Sequence, residues 1–514
     1  MIEILDCTLR DGGYVNDFNF REDSIKIIIS ELVKSRVDYI EVGFLQNTKK
    51  PYQNTIFTSI DEIKPLLPKD LSGVRIFAMV VYGKFDISKL PHKSECMLDG
   101  IRITFKKEET KEALNYIKAV QKLGYKVSVN PTGINQYSDL ELLELINLVN
   151  KYELDLFAIV DTLGLLVAKD VLRLFYLLNH NLNKNITICY HSHNNLQLSF
   201  SNAIALIAEK QKRNLIIDAS VRGMGRGAGN LNTELLMQYI NDYIGIKYDV
   251  VPILKIIDEQ INAIFNKTPW GYSVPYYLAA ALSVHPNYAS FLIDKNTIPM
   301  QNIREILSLI PQEKRQNYDE NLIQNLYLEY QNRQVDDTKT LEILKTKMQN
   351  KPVLLLGPGR SIITKKEAIR EYILKEKPYV VSINFSPKDI KVDNVFISNA
   401  RRFLQQNLQE GVIITSNIDA KLPLKLNYAS YLNDGILADN ALLMFLKVLV
   451  KVGIKQVALA GMDGFNDLQK DYFYNEKIGN YNKKSFDLHN KAMQEALAKS
   501  SLNISFITES LYKI

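Results

Sequence analysis

The sequence predicts an α/β protein with three parts: an N-terminal TIM (β/α)8 barrel, a helical appendage and a C-terminal Rossmann-like α/β domain with a parallel sheet. Three observations support this. From residue 1 to about 245, short β-branched runs alternate with longer stretches of helical periodicity. Strand signals then vanish for about a hundred residues, and the alternation returns after Lys351. At 514 residues, the chain is too long for a single core.

Eight strand-like runs, each followed by a candidate helix, make up the first region. They are IEILDC (2–7), VDYIEVGF (37–44), VRIFAMVV (74–81), LDGIRITF (98–105), YKVSVN (125–130), LFAIVDT (156–162), ITICYH (186–191) and LIIDAS (215–220). Eight consecutive βα units within about 250 residues are typical of a TIM barrel. A doubly wound open sheet is the alternative.

The rest of the chain divides by the same signals. Residues 246–345 carry amphipathic tracts such as VPILKIIDEQINAIF and NIREILSLI, which predict helices packed on the barrel. Residues 350–514 begin with VLLLGPGRSI and continue through YVVSINF, NVFISN, GVIITSN and KQVALAGMDGF. This alternating order predicts a second parallel sheet flanked by helices, with the barrel itself occupying residues 1–245.

Composition narrows the function classes. Apolar residues make up 46% of the chain and charged residues 23%, as in ordinary globular proteins, and the net charge of +6 is spread without a basic run, which argues against a nucleic-acid partner. Three cysteines without CxxC spacing do not make a disulfide framework. We expect no signal peptide and no membrane span, because the N-terminus starts with a strand-like run and no apolar stretch approaches about 18 residues. A cytoplasmic protein is the simplest interpretation.

The most informative motif is the pair His191 and His193 in CYHSHNN. Only six histidines occur in the chain, and two of them stand in this HxH. Side chains two residues apart on a strand point the same way, so both imidazoles can converge on one ion. A hydrogen-bonded, inert histidine pair is the alternative.

Polar residues also follow most of the predicted barrel strands. TIM-barrel chemistry lies on the loops at the carboxyl ends of the strands. The residues at those ends are Arg10, Asp11, Glu41, Arg102, Thr104, Asn130, Asp161, His191, His193 and Asn230. Because packing alone does not explain polar groups collected at one end of a barrel, we predict the functional site there.

Asp11, His191 and His193 form a mixed oxygen and nitrogen set that suits Mn²⁺, Mg²⁺, Zn²⁺ or Fe²⁺. Asn230, in GMGRGAGN, can supply a fourth ligand through its carbonyl oxygen. An incomplete protein shell is what a catalytic metal needs, because the substrate must coordinate too. The three cysteines show no CxxC spacing, which argues against a closed structural zinc site.

Five ordered motifs, TLRDGG, YIEVGF, DTLG, HSHNN and GRGAGN, resemble the HMGL-like or DRE-TIM metallolyase family over residues 1–245. That family includes 4-hydroxy-2-oxovalerate aldolase, HMG-CoA lyase and isopropylmalate synthase. The resemblance implies that Asp11, His191 and His193 bind a divalent metal, most simply Mn²⁺ or Mg²⁺, with Asn230 as a further ligand and Arg10 as the catalytic arginine. It also implies carbon–carbon bond chemistry through an enolate, and a homodimer.

The chain departs from the family at Tyr14. The acyl-CoA synthases follow RDG with an acidic residue and glutamine, whereas Gly13 and Tyr14 stand here, and the aldolases have a histidine general base at the position of Tyr14. A phenol is a poor base at neutral pH. We therefore expect Tyr14 to hydrogen-bond the substrate or donate a proton, or else only to pack. We interpret Glu41, Arg102, Asn130 and Asp161 as residues that orient ligands or contact the substrate, with Glu41 and Asp161 orienting ligands rather than acting as bases.

The activity that these residues favour is an aldol reaction in which pyruvate forms an enolate that adds to an aldehyde, or the reverse cleavage. An acyl-CoA-dependent lyase or synthase on the same metal site is the nearest alternative. A barrel that is only a scaffold or sensor, with the work done by the C-terminal domain, is another.

The C-terminal domain also carries polar and small residues at its strand ends. They are Gly357, Gly359 and Ser361 in GPGRS, Asn384, Asn399, Ser416, Asn417 and Asp463. Ligands of open α/β sheets bind at these ends, and a glycine turn before a helix can present N–H groups to a phosphate. The glycine, proline and serine turn together with the late G-x-D-x-F element is similar to the bacterial sialyltransferase-like α/β domain.

That resemblance implies a site for a CMP-sugar or a related nucleotide, and a histidine base. His489 is the candidate base, although a lone histidine on a helix is more often a surface residue. A pyruvate aldolase acting on a sugar aldehyde yields a 3-deoxy-2-ulosonic acid, the type of acid that such transferases use in CMP-activated form. The combined hypothesis is an enzyme of surface-polysaccharide biosynthesis, with a glycosyltransferase as the alternative.

Overall fold

A computed structural model describes residues 1–209, 212–406, 410–465 and 483–513. They fall into two compact units: Met1–Ser290 with Pro311–Tyr318, and Phe291–Ile310 with Asp319–Ile514. The helical stretch after residue 245 thus contributes to both units, and the domain boundaries expected from the sequence remain a prediction. Among the described helices, none combines the length and the apolar character needed to cross a bilayer.

The first unit confirms the predicted barrel. Its strands are β1 Ile2–Asp6, β2 Tyr39–Leu45, β3 Ile56–Phe57, β4 Arg75–Val81, β5 Gly100–Phe105, β6 Lys126–Pro131, β7 Leu156–Asp161, β8 Thr187–Ser192 and β9 Leu215–Ala219. All pair in parallel in the order β1-β9-β8-β7-β6-β5-β4-β2-β3. Leu5 of β1 also pairs with Tyr39 of β2, which closes the barrel and leaves the short β3 as an addition beside β2.

Six α-helices surround these strands. They are α1 Glu22–Lys34, α2 Thr110–Lys122, α3 Asp139–Tyr152, α4 Ala168–Asn181, α5 Ser199–Ala208 and α6 Thr233–Tyr243. In α1, Ile25, Ile28, Ile29 and Leu32 follow helical spacing and are fully buried against the strands. The expectation of a helix after every strand is wrong after β2 and β4, where only short 3₁₀ turns occur. Both connections contain prolines, which interrupt helical hydrogen bonding.

Seven further helices and one π-turn follow the barrel strands. They are α7 Val251–Ile256, a π-turn at Ile257–Ile261, α8 Asn262–Lys267, α9 Val274–Ala281, α10 Pro286–Lys295, α11 Met300–Ser308, α12 Glu320–Gln331 and α13 Thr338–Met348. α7 packs against α1, and Ile253 and Ile256 are fully buried in the barrel's core.

The second unit contains the predicted parallel sheet. Its strands are β10 Val353–Leu356, β11 Tyr379–Ile383, β12 Asn394–Ile397, β13 Val412–Thr415, β14 Leu424–Leu426, β15 Gln456–Ala460 and β16 Asn503–Phe506. Its helices from residue 361 onward are α14 Ser361–Thr364, α15 Lys366–Glu376, α16 Ala400–Gln405, α17 Ala441–Lys451 and α18 Lys483–Ala498. The strand order is β14-β13-β12-β11-β10-β15-β16, so the winding direction reverses between β10 and β15. Ligands of such sheets bind at this reversal.

Candidate metal centre and C-terminal cavity

Asp11, His191 and His193 come together at the carboxyl end of the barrel. One donor atom from each lies within 4.8 Å of the other two. The Nε2 atoms of His191 and His193 are 3.6 and 3.9 Å from Oδ2 of Asp11. Both imidazoles reach the site because they stand two residues apart at the end of β8, as the HxH spacing predicts.

Asn230 completes the group. The loop that carries it folds back so that Asn230 pairs with His193 in an isolated antiparallel bridge. This fold requires glycine at position 229, where φ is +83° and a Cβ would lie 2.1 Å from the carbonyl oxygen of Gly223. The Asn230 amide nitrogen donates to Oδ2 of Asp11 at 2.6 Å, whereas its Oδ1 is buried without a hydrogen-bond partner.

The four side chains fit a divalent metal ion. Burial lowers the pKa of His193 to about 3, so its ring is neutral and has a lone pair to donate. Burial acts to raise the pKa of Asp11, but Arg10, His193 and His191 together hold it well below its usual range, so the carboxylate is ionised. With the unpartnered Oδ1 of Asn230, the set offers two nitrogen and two oxygen donors. That these residues bind a metal stays a prediction.

Asp218 orients the first histidine and was missed in the sequence. Its Oδ2 lies 3.0 Å from Nδ1 of His191 and accepts from Nη2 of Arg102 at 2.6 Å. Burial favours the neutral acid, but Arg102 and His191 lower the pKa of Asp218 below its ordinary value. The carboxylate therefore fixes the proton on Nδ1 and turns Nε2 toward Asp11. The signal was present, because Asp218 is the one charged residue of the run LIIDAS.

Arg10 lies beside Asp11 and is only 4% exposed. Its Nη1 donates to Oδ1 of Asp11 at 2.7 Å and its Nε to Oε2 of Glu41 at 2.6 Å. The third nitrogen, Nη2, is buried and has no hydrogen-bond partner. A buried arginine that is fixed at two corners and unpaired at the third can donate to an oxygen of a bound substrate.

Of the remaining predicted barrel residues, Arg102 and Asn130 extend this cluster, whereas Asp161 and Thr104 bond to other groups. Nη1 of Arg102 contacts Oε2 of Glu41 at 3.5 Å. When the Asn130 amide is oriented so that its nitrogen donates to Ser128, its oxygen accepts from Nη2 of Arg102 at 3.1 Å. Asp161 instead accepts from the main-chain N–H groups of Leu165 and Leu166 and shapes the turn after β7. Burial raises the pKa of Asp161 to about 6. Thr104 pairs with Thr132.

Tyr14 lies at the rim of the site and is 39% exposed. Its ring packs edge-to-face against Phe18 and Phe44, with centroid distances of 5.1 and 6.0 Å. The guanidinium carbon of Arg226 lies 4.0 Å from the centroid of the same ring. The Tyr14 ring is thus packed against its neighbours and is also partly exposed to solvent. Its catalytic role remains a prediction.

Replacing Asp218 with asparagine is expected to weaken Mn²⁺ binding by about 10- to 100-fold, because His191 loses the partner that fixes its tautomer. It is also expected to lower the free energy of unfolding by roughly 3 kcal/mol, since buried Arg102 loses an ion-pair partner. Titration with Mn²⁺ and urea unfolding measure the two effects. Asp155→Asn is the control, because Asp155 also caps a barrel strand but at the opposite end. An unchanged Mn²⁺ affinity in Asp218→Asn would contradict the prediction.

The second unit contains a cavity of about 250 Å³ at the reversal between β10 and β15. Four of the predicted residues line it: Gly359, Asn384, Asn399 and Asp463. Its wall also includes Lys295, Arg360, Arg402, His489 and Tyr512. His489 therefore faces a cavity, and burial lowers its pKa to about 4.

The glycine turn itself has a packing role. The N–H groups of Gly357 and Gly359 donate to the carbonyl oxygens of Ala460 and Gly461, each at 2.8 Å, and that of Ser361 donates to Asp463 at 2.8 Å. These three N–H groups are thus hydrogen-bonded within the domain, and neither Gly357 nor Ser361 is among the residues that line the cavity. Ser416 and Asn417 likewise make internal hydrogen bonds.

Comparison with known proteins places the barrel in a family. Residues 1–256 match the HMGL-like family. The chain is 28% identical over 243 residues to a 4-hydroxy-2-oxovalerate aldolase of Geobacillus genomosp. 3, covering 47% of this chain and 70% of the relative. It is 26% identical over 260 residues to one of Bacillus thuringiensis, covering 50% and 74%.

A solved structure, the N-terminal domain of a putative aldolase from Bacteroides vulgatus, is 28% identical and has a TM-score of 0.49, covering 57% of this chain and 96% of that one. The family match spans the barrel and every residue of the candidate metal centre. Residues 1–256 therefore form an HMGL-like domain.

Proposed function

We propose that the barrel is a divalent-metal-dependent aldolase that makes or breaks a carbon–carbon bond between the enolate of a 2-oxo acid, pyruvate, and an aldehyde. The observation that carries this proposal is the unpartnered Nη2 of Arg10 beside the group Asp11, His191, His193 and Asn230. The relatives named 4-hydroxy-2-oxovalerate aldolase support the same reaction class.

Asp11, His191, His193 and Asn230 would hold the ion, Mn²⁺ or Mg²⁺ in preference to Zn²⁺. When bound, such an ion supplies a Lewis acid that polarises the oxygens of a 2-oxo acid. Asp218 keeps Nε2 of His191 aimed at the site, and the hydrogen bond from Asn230 fixes the carboxylate of Asp11.

Arg10 stabilises the charge that develops on the substrate. When a base takes a methyl proton from pyruvate, the C–H electron pair is delocalised onto the keto oxygen, and a preorganised N–H donor lowers the energy of that state. Nη2 of Arg10 is such a donor, because Glu41 and Asp11 hold the guanidinium in one orientation. Tyr14 at the rim would donate a proton or a hydrogen bond to the aldehyde oxygen, which becomes an alkoxide when the new bond forms.

Isotope exchange tests this proposal before the aldehyde is known. Protein with Mn²⁺ in D₂O should exchange the methyl protons of pyruvate, followed by NMR, and should consume pyruvate when sugar aldehydes are added. Absence of both reactions would contradict an aldolase. Release of free thiol from acetyl-CoA would instead indicate the acyl-CoA-dependent alternative.

We also propose that the C-terminal cavity binds an anionic nucleotide, CMP or a CMP-sugar. We further propose that the aldehyde of the barrel reaction is a sugar aldehyde, because the acid formed from it and pyruvate is of the type that is activated with CMP. The supporting observation is the position of the cavity at the sheet's reversal, with Lys295, Arg360 and Arg402 in its wall. A glycosyltransferase would use the same cavity, with His489 as its base.

Titration of the full-length protein with CMP is the test. Arg360→Gln is expected to weaken CMP binding by about tenfold, because it removes a cationic partner for phosphate. Arg370→Gln is the control, since Arg370 lies on α15 and pairs with Glu367 outside the cavity. If CMP does not bind, or if both variants bind it alike, the nucleotide proposal fails.

A further inference from the structure

Three side chains near the metal-ligand group are linked by contacts with Arg226: Tyr14, Arg226 and His285. The guanidinium carbon of Arg226 lies 4.0 Å from the centroid of the Tyr14 ring, and its Nη1 lies 3.2 Å from Nε2 of His285. Tyr14 follows β1 and Arg226 follows β9, whereas His285 comes from the connection between α9 and α10. No sequence pattern pointed to His285. We call these residues the rim layer.

The charge of Arg226 is not neutralised by its neighbours. Arg10 and Arg102 each contact two carboxylates. Within the part of the chain that the structure describes, Arg226 has no carboxylate at salt-bridge distance, and its partners are an aromatic face and a ring nitrogen. A guanidinium held in this way is fixed in place but keeps its full charge for an incoming anion.

His285 acts as a neutral acceptor for Arg226. Burial, with smaller contributions from the charges of Arg226 and His193, lowers the pKa of His285 to about 3. Its other nitrogen, Nδ1, faces the main-chain N–H of Asn287 at 3.2 Å. A protonated ring would place an N–H opposite a donor on both sides. A neutral ring keeps one lone pair, and the charged guanidinium of Arg226 is the stronger of the two donors for it.

The rim layer is more exposed to solvent than Arg10 and the metal-ligand group. Arg10 is 4% exposed and forms the floor of the site, whereas Tyr14 is 39% exposed. Arg226 is close enough to the metal-ligand group to lower the pKa of Asp11. A 2-oxo acid that contacts the buried Nη2 of Arg10 leaves the more exposed rim layer for the second substrate.

We infer that Arg226 binds an anionic group, a carboxylate or a phosphate, on the aldehyde substrate, and that His285 is a positioning residue that holds Arg226 in place. This inference rests on the proposed aldolase function and adds the substrate class, an aldehyde with a negative charge away from the reacting carbonyl. On this assignment Arg10 binds the 2-oxo acid and Arg226 binds the aldehyde.

Matched aldehydes test the inference in the full-length Mn²⁺-loaded protein with pyruvate. Succinic semialdehyde is compared with butyraldehyde for a carboxylate, and glyceraldehyde 3-phosphate with glyceraldehyde for a phosphate. At least one charged aldehyde should have a kcat/KM about tenfold or more above its neutral match. Arg226→Gln should raise the KM for that aldehyde by about 10- to 100-fold with kcat changed much less, and Arg226→Lys should lose less.

Three results would overturn the inference. They are equal kcat/KM values for charged and neutral aldehydes in the wild type, an equal loss for both in Arg226→Gln, and a rise in the KM for pyruvate as large as that for the aldehyde. The last result would place Arg226 on the 2-oxo acid. Because pyruvate exchange in D₂O needs no aldehyde, failure of the aldolase proposal is seen separately. Binding of succinate and inorganic phosphate by calorimetry, with loss in Arg226→Gln, tests Arg226 without turnover.

His285 is tested by a pair of substitutions. His285→Gln keeps a hydrogen-bond acceptor, whereas His285→Leu removes it at similar size. If His285 positions Arg226, the leucine variant should show the raised KM of Arg226→Gln, and the glutamine variant should recover most of the wild-type value. Equal KM values for both variants would refute the positioning role.

Discussion

Replacing His193 with alanine is expected to remove the bound divalent ion and to lower aldolase turnover by on the order of 10³-fold or more. His193 is the cleanest ligand to remove, because the charged group that it faces is Asp11, at 3.9 Å. His191 is less suitable, since its loss would also leave the buried carboxylate of Asp218 without a partner. Metal analysis of the purified variant and pyruvate exchange in D₂O measure the two effects.

A second histidine provides the control. His180 lies on the exposed face of α4 and stacks on Tyr176, so His180→Ala should keep both the metal and the activity. Wild-type protein stripped with a chelator should match His193→Ala, and Mn²⁺ should restore only the wild type. Full metal content in His193→Ala, together with activity within tenfold of the wild type, would contradict the assignment and favour a barrel that acts as a scaffold.

The barrel could be predicted from the sequence because its signals are local. Every predicted barrel strand begins and ends within two residues of an observed one, since β-branched runs report strand burial directly. The absence of α-helices after β2 and β4 was missed. Short stretches there have helical periodicity, but prolines in the same stretches interrupt helical hydrogen bonding. Strands β14 and β16 were also missed, because their sequences LKL and NISF lack the continuous apolar run of the other strands in this sheet.

The site was predictable where strand order determines geometry. Asp11 and His193 are far apart in sequence, but β1 and β8 are separated by β9 alone in the closed barrel, which brings their carboxyl ends together. Arg226 and His285 could not be paired in this way, because a loop and a helical connection carry them, and strand periodicity says nothing about where such segments lie. The glycine turn Gly357–Ser361 shows what a motif leaves out: three of its N–H groups donate to Ala460, Gly461 and Asp463, a packing role that the sequence pattern does not report.

Replacing Arg10 with lysine is expected to lower the rate of pyruvate exchange by about 10²-fold while the metal content stays at the wild-type level. Lysine keeps the positive charge beside Asp11, so the carboxylate remains ionised. A single ammonium cannot reproduce the fork that contacts Glu41, Asp11 and the substrate side at once. The loss should therefore fall on kcat rather than on metal affinity.

Arg75→Lys is the matched control, because Arg75 also pairs with a carboxylate, Glu3, and stacks on Tyr39, but at the opposite end of the barrel. It should leave the exchange rate within about twofold of the wild type, as expected for a change away from the reacting atoms. An Arg10→Lys protein that exchanges pyruvate at the wild-type rate would show that Nη2 of Arg10 does not stabilise the developing negative charge. A variant that loses its metal would instead show that Arg10 acts by holding Asp11 in place. Only a metal-loaded, slow enzyme fits an arginine that stabilises the developing negative charge.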